Sequence, residues 1–331
     1  MKEKEELILL VNKKGGMNSF TEKLCEYIIK EHGSEVDCRI VELERRDFKN
    51  GEFKPHIKES IRRKKVFYIT DSTLEPSKFV MDVALVSYSM KYSSASESNI
   101  IIPYLPWLRQ DVKDESGVPI SAKVVADIIS LYSDRCVLCD PHFKQVQGYF
   151  RIPTDILNPY PLVVKYLKDK HPELLPKVQL LTADGGSGKR VGDFAQRAGL
   201  PLNLLTGENI QKRDPQNPGV VLNKTRVHGE LIKEEAITIE DMIDGGGTLL
   251  SLADGARERE LKKIIAYATH CINTNNAIEK LKQKYDLILV TDTIPCSIPQ
   301  DERFEIIPLD SLFGEVIYRI GVGQSVNSLF K

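Results

Sequence analysis

The chain has 331 residues, of which 41% are hydrophobic and 28% charged, and its formal net charge is −1. This length favours two domains, because domains usually have about 100–200 residues. The balanced charge gives no reason to expect binding to nucleic acid or to an anionic membrane. No apolar run approaches the ~20 residues that span a bilayer, and the charged start, Met1 to Glu6, is unlike a signal peptide. We therefore expect a cytoplasmic protein.

Short apolar runs rich in branched residues predict β-strands that are buried on both faces. They are residues 7–11, 66–70, 100–104, 136–139, 178–182, 236–239, 264–269 and 287–291. Helical patterns lie between them. The clearest follows Pro119, where Ile120, Val124, Ile128 and Leu131 recur on one face. Alternating strands and helices predict an α/β fold of mainly parallel sheets flanked by helices.

A stretch with three prolines in ten residues, 152–161, predicts a domain boundary. We place the first domain at residues 1–155 and the second at 156–331, with a last helix that could pack back on the first domain. The polar stretch 207–219 has turn-forming residues and no periodicity, so we expect a mobile loop of the kind that covers active sites. Cys136 and Cys139 have CxxC spacing, but their apolar surroundings predict reduced cysteines in a buried strand.

Polar clusters follow four of the predicted strands. They are Arg109 to Asp111, Asp140 to His142, Asp184 to Arg190, and the acidic pair Glu240 and Asp241. Parallel sheets bind ligands beyond the carboxyl ends of their strands, which is where these clusters fall.

The most informative cluster lies in residues 236–248, which read AITIEDMIDGGGT. An apolar strand ends in two acids, and a glycine-rich turn then leads into a helix. Backbone N–H groups in such a turn, together with the helix N-terminus, favour phosphate. Acids would repel a phosphate, so their position beside it needs another reason. They would fit if they bind the sugar hydroxyls of the same ligand, or a magnesium ion held by it. The pattern therefore predicts a phosphosugar site rather than a simple helix-capping turn.

Segment 236–248 resembles the phosphoribosyl pyrophosphate motif of type I phosphoribosyltransferases and of ribose-phosphate pyrophosphokinases, which usually carry two aspartates where this chain has Glu240 and Asp241. The rest of the chain resembles the second family. Its similar segments are residues 48–52, 103–111, 118–127, 140–150, 266–270, 290–295 and 324–330. The resemblance extends from about Leu7 to the C-terminus, and simple phosphoribosyltransferases have no counterpart of the first half.

The resemblance implies two tandem type I phosphoribosyltransferase-like domains, each a mainly parallel sheet flanked by helices. It also implies the transfer of pyrophosphate from ATP to ribose 5-phosphate, with Mg2+ as cofactor. The family binds adenine across a subunit interface, so the resemblance also implies self-association. The expected assembly is a dimer or a hexamer built from dimers.

Site residues carry over where this chain matches the family. The ATP-binding set is Phe48, Asn50, Glu52, Arg109, Gln110, Asp114 and His142. The ribose 5-phosphate set is Glu240, Asp241, Asp244, Gly245, Gly246, Gly247 and Thr248. The loop of Asp184, Gly185, Gly186 and Ser187 would hold pyrophosphate. His142 and Asp184 are the expected metal ligands.

The catalytic lysine and arginine have two candidate positions. The family has Lys-x-Arg at the root of a flap, and the spacing to Glu240 favours Lys212 and Arg213, which are adjacent. A true Lys-x-Arg occurs at Lys224 and Arg226, and it is the alternative. Two other functions stay open at this point: a non-catalytic regulatory relative of the synthetase, and a phosphoribosyltransferase that consumes the product.

Overall fold

The computed structural model describes residues 4–183, 188–213 and 221–330. The chain divides into two compact units. The first comprises Met1–Pro159, Thr293–Pro295 and Pro308–Lys331, and the second comprises Tyr160–Asp292 and Cys296–Ile307. In the described residues, no helix combines the length and the apolar character needed to cross a membrane.

The first unit is a seven-stranded sheet with helices on both faces. Its strands are β1 (Glu5–Val11), β2 (Val36–Asp47), β3 (Phe53–Ile57), β4 (Lys65–Ile69), β5 (Glu97–Ile102), β6 (Arg135–Cys139) and β7 (Thr154–Leu157). Its helices are α1 (Asn18–His32), α2 (Pro76–Tyr92), α3 (Ser121–Ser130) and, late in the chain, α9 (Asp310–Gly321). The strand order is β3-β2-β1-β4-β5-β6-β7, and only β3 is antiparallel to its neighbour.

The second unit is also built on seven strands. They are β8 (Val178–Thr182), β9 (Leu204–Arg213), β10 (Val221–His228), β11 (Glu235–Ile243), β12 (Lys263–Cys271), β13 (Leu287–Thr291) and β14 (Phe304–Ile307). Its helices are α4 (Tyr160–Lys170), α5 (Leu174–Lys177), α6 (Gly188–Ala198), α7 (Gly247–Glu258) and α8 (Ala277–Leu281). The order is β10-β9-β8-β11-β12-β13-β14, and only β10 is antiparallel.

The two sheets have the same topology. In each, the first strand of the unit lies in the middle, the next two form an antiparallel edge hairpin, and the last four follow on the other side. The strand order therefore reverses between β1 and β4 in one unit and between β8 and β11 in the other. Such reversals open crevices at the carboxyl edge, where doubly wound sheets bind ligands.

Alternating side chains of β1 supply two cores. Ile8 and Leu10 belong to the cluster formed with α2 and α3. Leu7 points to the opposite face and packs against Gly321 of α9. A Cβ at position 321 would lie 2.5 Å from Leu7 Cδ2, so this close packing requires glycine. Burial of both faces explains why this strand reads as a continuous apolar run.

The predicted fold class is confirmed, and all eight predicted strands are present in parallel arrangement. Cys136 and Cys139 are buried, free cysteines in β6, as expected. Two local predictions were wrong. Residues 207–213 belong to strand β9 rather than to a loop, because they pair with β10, although residues 214–219 lie outside the described part. Helix α3 buries Ala122, Val125 and Ile129, whereas the predicted face leaves Val124 and Leu131 exposed.

Candidate active site

The acidic pair lies inside a strand. We expected the strand to end at Ile239, but β11 continues to Ile243, because its register with β12 extends to the pair Ile243 and Cys271. Glu240 is half-buried and Asp241 is buried. Both are thus placed by strand hydrogen bonds near the carboxyl end of the strand that borders the reversal of strand order.

Residues 244–248 comprise the turn after β11 and the first two residues of α7, and we call this segment loop 244–248. Gly246 has φ +73°, a left-handed conformation that favours glycine, and α7 begins at Gly247. The first intrahelical bond runs from the Leu250 N–H to the Gly246 carbonyl. The first N–H groups of a helix have no intrahelical partner, so this turn presents donors and the positive end of the helix dipole. Thr248 is exposed at the same end.

Residues 273–276 form a neighbouring turn that supports the loop, and this contact was not predicted from the sequence. The Thr274 hydroxyl donates a hydrogen bond to Asp244 Oδ1. Thr274 lies in a turn in which Asn273, Asn275 and Asn276 all have positive φ angles, of 55° to 59°. Asparagine tolerates this conformation better than most residues, so the string Asn-Thr-Asn-Asn was a signal that could have been read.

The proposed pyrophosphate loop, Asp184 to Ser187, lies outside the described residues. The first turn of α6 follows it directly and carries Lys189, which is exposed, and Arg190, which is half-buried. Arg190 Nη1 donates to the hydroxyl of Tyr160 at 3.2 Å. This places two cations immediately after the loop.

The two candidate catalytic pairs lie on the two strands of the edge hairpin of this unit. Lys212 and Arg213 end β9, where their backbones pair with Leu222 and Val221 of β10. Their side chains are outside the described part. Lys224 and Arg226 occupy exposed positions of β10. Lys224 Nζ lies 2.8 Å from Glu258 Oε1 on α7, so its charge is paired within the unit.

In the first unit, the polar clusters after β5 and β6 lie at one edge. Arg109 is exposed, and Gln110 is tied to the start of α3, since Ser121 Oγ donates to Gln110 Oε1 at 3.2 Å. Asp114 is exposed further along this loop. Exposed His142 follows β6, after Asp140, which is buried with φ +35°. Because β5 and β6 are parallel neighbours, the fold brings Arg109 and His142 to the same edge.

The turn that carries Phe48, Asn50 and Glu52 joins β2 to β3. The Phe48 N–H donates to the Glu52 carbonyl at 2.7 Å, and Asn50 Nδ2 donates to Glu52 Oε2 at 2.9 Å. Phe48 is 53% exposed. Within the unit, β1 and β4 separate β2 from β5, which is three strand spacings or about 14 Å. Both the β2–β3 turn and the loop after β5 contact the start of α2, because Trp107 Nε1 donates to the Pro76 carbonyl and Lys78 Nζ lies 2.7 Å from Asp47 Oδ1.

Magnesium was expected at His142 and Asp184. In the described part of the chain, no three His, Cys, Asp or Glu side chains lie together as a metal-ligand group. Mg2+ usually keeps several waters and binds one or two protein groups together with substrate phosphates. The donors after β6 fit an ion that arrives with a nucleotide, and they do not form a cage that would hold the metal alone.

Two sheets of identical topology, each with polar or glycine-rich loops at its carboxyl edge, define the class of this protein. It is an α/β enzyme of the kind that binds phosphorylated ligands where strand order reverses. Comparison with known proteins narrows the class to a family.

The model of the N-terminal domain of ribose phosphate pyrophosphokinase matches residues 15–132, and that of the phosphoribosyl synthetase-associated domain matches residues 222–331. A ribose-phosphate pyrophosphokinase of Caldanaerobacter subterraneus is 36% identical over 91% of this chain and 93% of its own. That of Aquifex aeolicus is 33% identical over 86% and 89%. The chain therefore belongs to the ribose-phosphate pyrophosphokinase family.

The fold agrees with a solved structure. The crystal structure of phosphoribosylpyrophosphate synthetase from Mycobacterium smegmatis matches with a TM-score of 0.80 and 24% identity, covering 96% of this chain and 100% of that one. At this identity, the match supports the fold of the chain and assigns no role to any residue.

Proposed function

We propose that this chain transfers the β,γ-diphosphate of ATP to the C1 hydroxyl of ribose 5-phosphate, forming phosphoribosyl pyrophosphate and AMP. The observation that carries the proposal is the acid pair of β11 followed by loop 244–248 at the reversal of strand order, in a member of the ribose-phosphate pyrophosphokinase family. No other described loop of the second unit combines a carboxylate, a left-handed glycine and a helix N-terminus.

The second unit would bind ribose 5-phosphate. Loop 244–248 offers backbone N–H groups and the Thr248 hydroxyl to the 5-phosphate. Glu240 and Asp241 would accept hydrogen bonds from the ribose hydroxyls. Their separation from the phosphate turn by Met242 and Ile243 matches a ligand with hydroxyls at one end and phosphate at the other.

The first unit would bind ATP. Arg109 suits a phosphate clamp, because a guanidinium forks onto two phosphate oxygens. Gln110 and Asp114 would complete that loop, and His142 would contact the phosphates or their metal. Phe48 offers an aromatic face for adenine, while Asn50 and Glu52 offer an amide and a carboxylate for its edge.

In the reaction, the C1 oxygen bonds to the β-phosphorus as the bond from that phosphorus to the α,β-bridging oxygen breaks. The bridging oxygen leaves with AMP, and the C1 hydroxyl proton is released. Such transfers are catalysed mainly by alignment and by neutralisation of charge. Lys212 and Arg213, or alternatively Lys224 and Arg226, would supply cations at the transferring group. When bound, Mg2+ would neutralise phosphate charge and Asp184 would help to hold it.

We also propose that the chain works as a dimer or a larger assembly, up to a hexamer. The exposure of the Phe48 ring, at 53%, supports this, since exposed aromatic side chains are enriched at the surfaces where protein chains meet. A cytoplasmic location is supported by six free cysteines, which are typical of a reducing compartment.

The test is AMP formation from ATP and Mg2+ with and without ribose 5-phosphate. The proposal expects AMP only when ribose 5-phosphate is present. A non-catalytic regulatory relative, which the adjacent Lys212 and Arg213 would suit best, should form no AMP under either condition. A phosphoribosyltransferase should also form none from these substrates.

A further inference from the structure

The outer half of the β2–β3 hairpin has little support from the sheet. The pairing of β2 with β1 ends at Val11 and Glu42, so the rest of β2 pairs only with β3. β3 is an edge strand, and Pro55 removes one of its backbone donors. A two-stranded hairpin alone is marginally stable in water. The turn at its tip, Phe48 to Glu52, must therefore be held by side chains.

Helix α2 supplies those contacts on one face of the hairpin. Lys78 Nζ of α2 lies 2.7 Å from Asp47 Oδ1 and 5.5 Å from the centre of the Phe53 ring. Asp47 and Phe53 are a cross-strand pair at the base of the turn. The guanidinium carbon of Arg45 lies 5.8 Å from the same ring centre, so two cations flank the aromatic residue that closes the hairpin.

Arg45 extends this contact into the core. Its Nη1 lies 3.9 Å from Asp82 Oδ1 on α2, and its Nε lies 3.6 Å from Asp47 Oδ1. The side chains of Arg45 and Asp82 are only 14% and 4% exposed. The Tyr68 hydroxyl of β4 donates to Asp82 Oδ2. Burial raises the pKa of Asp82 to about 6, while Tyr68 and Arg45 favour its charged form. The carboxylate is thus a fixed anchor for Arg45.

We propose that Arg45 is a positioning residue for the nucleotide: by joining buried Asp82 to Asp47 and Phe53, it holds the turn that presents Phe48, Asn50 and Glu52. This role rests on the proposed assignment of adenine to that turn. Arg45 acts through the hairpin and contacts no substrate. Because the pair of Arg45 with Asp82 is largely shielded from water, salt screens it less than an exposed pair, and removing one partner is costly.

The experiment compares steady-state kinetics of the full chain and its variants. Arg45→Met keeps an unbranched stem against Phe53 and removes the charge. We expect its KM for ATP to rise about five- to tenfold, with kcat at saturating ATP within about twofold and KM for ribose 5-phosphate unchanged. Arg45→Lys should recover part of the loss, since it restores a cation without the guanidinium fork.

Arg39→Met is the matched control, because Arg39 lies on the same strand and makes ion pairs with Glu6 and Glu59. Arg39 belongs to the half of β2 that pairs with β1, so its loss should leave the KM for ATP unchanged. Asp47→Asn probes the outer contact at a half-exposed position where unfolding is not expected. It should raise the KM for ATP about twofold.

Phe48→Ala separates the two possible failures. If it raises the KM for ATP while Arg45→Met and Asp47→Asn do not, the positioning role is wrong and the adenine assignment stands. If all three leave the KM for ATP unchanged, the turn does not bind adenine and both proposals fall. Should Arg45→Met prevent folding, Asp47→Asn decides, and an unchanged KM for ATP in that variant overturns the role.

Discussion

Thr274 donates its hydroxyl hydrogen bond to Asp244 Oδ1, and this contact joins the turn after β12 to the first residue of loop 244–248. The same turn is tied to β11 by the N–H groups of Ile272 and Asn273, which both donate to the Ile243 carbonyl. The loop is therefore fixed from two sides, by its own strand and by the next one. Its geometry depends on residues that would not contact the ligand.

Thr274→Val should weaken ribose 5-phosphate binding, because it removes the donor to Asp244 at nearly constant volume. We expect the KM for ribose 5-phosphate to rise about three- to tenfold, which corresponds to about 0.7–1.4 kcal/mol, the range of an ordinary hydrogen bond, because Thr274 acts on the loop and not on the ligand itself. The KM for ATP should stay constant. Thr274→Ser keeps the hydroxyl and should behave like the parent chain; equal effects of both substitutions would contradict this role.

Gly246→Ala should impair the same loop through the backbone. A Cβ at φ +73° is strained, and it would lie 3.3 Å from Ala277 Cβ. Gly323 has the same φ of +73° with open space around it, so Gly323→Ala is the matched control. Both variants should lose about 1 kcal/mol or more of unfolding free energy by denaturant titration. Only Gly246→Ala should raise the KM for ribose 5-phosphate.

The position of the catalytic cation can be decided by two substitutions. Lys224 is paired with Glu258 of α7 at an exposed site, and such pairs contribute little. We expect Lys212→Ala to lower kcat by about 100-fold or more with little change in the KM for ATP. Lys224→Ala should change kcat less than about threefold. The reverse pattern would assign catalysis to Lys224 and Arg226.

Cys296 should react as a thiolate near neutral pH. The Cys271 thiol donates a hydrogen bond to Cys296, the Ile298 N–H donates another, and the positive charge of Lys282 favours the thiolate. Together they lower the pKa of Cys296 to about 6. Its alkylation rate should rise through pH 6 rather than near the ordinary value of about 8.5, because only the thiolate reacts. Peptide mapping after iodoacetamide measures this at each pH.

Cys271→Ala removes the donor and should move the midpoint of the Cys296 alkylation profile to higher pH. Cys136 is an internal control, since burial raises the pKa of its thiol and it should resist alkylation in the folded chain. An unshifted midpoint in Cys271→Ala would show that the hydrogen bond between the two sulfurs is not the cause.

The sheets could be predicted from the sequence because a strand that is buried on both faces appears as a short continuous run of apolar residues. β1, β4 and β13 read as short apolar runs, and their position depends on nothing further along the chain. The hairpin strands β2, β3, β9 and β10 show no such run. They lie at one edge of each sheet, and β9 at residues 207–213 is as polar as a loop. Only pairing with β10 makes it a strand.

The candidate site divides in the same way. Loop 244–248 could be predicted from the sequence because the acids and glycines that would bind the ligand stand close together in the chain. The turn that contains Thr274 could have been predicted from its asparagines, but the contact of Thr274 with Asp244 could not, since that contact depends on the register of β12 against β11. Arg45 and Asp82 are separated by 37 positions and meet only because α2 packs across the hairpin. That the two halves share a fold was expected only from the family resemblance. The residue patterns alone did not predict their common strand order, because the halves share topology rather than a repeated motif.

The central claim is diphosphate transfer to C1, and the most direct test follows the β-phosphorus of ATP by 31P NMR in the presence of Mg2+ and ribose 5-phosphate. We predict that the β- and γ-signals move together onto the sugar while AMP appears in a one-to-one ratio with the new diphosphate. Appearance of ADP with a second sugar monophosphate signal, or of free pyrophosphate with AMP and unchanged ribose 5-phosphate, would contradict it.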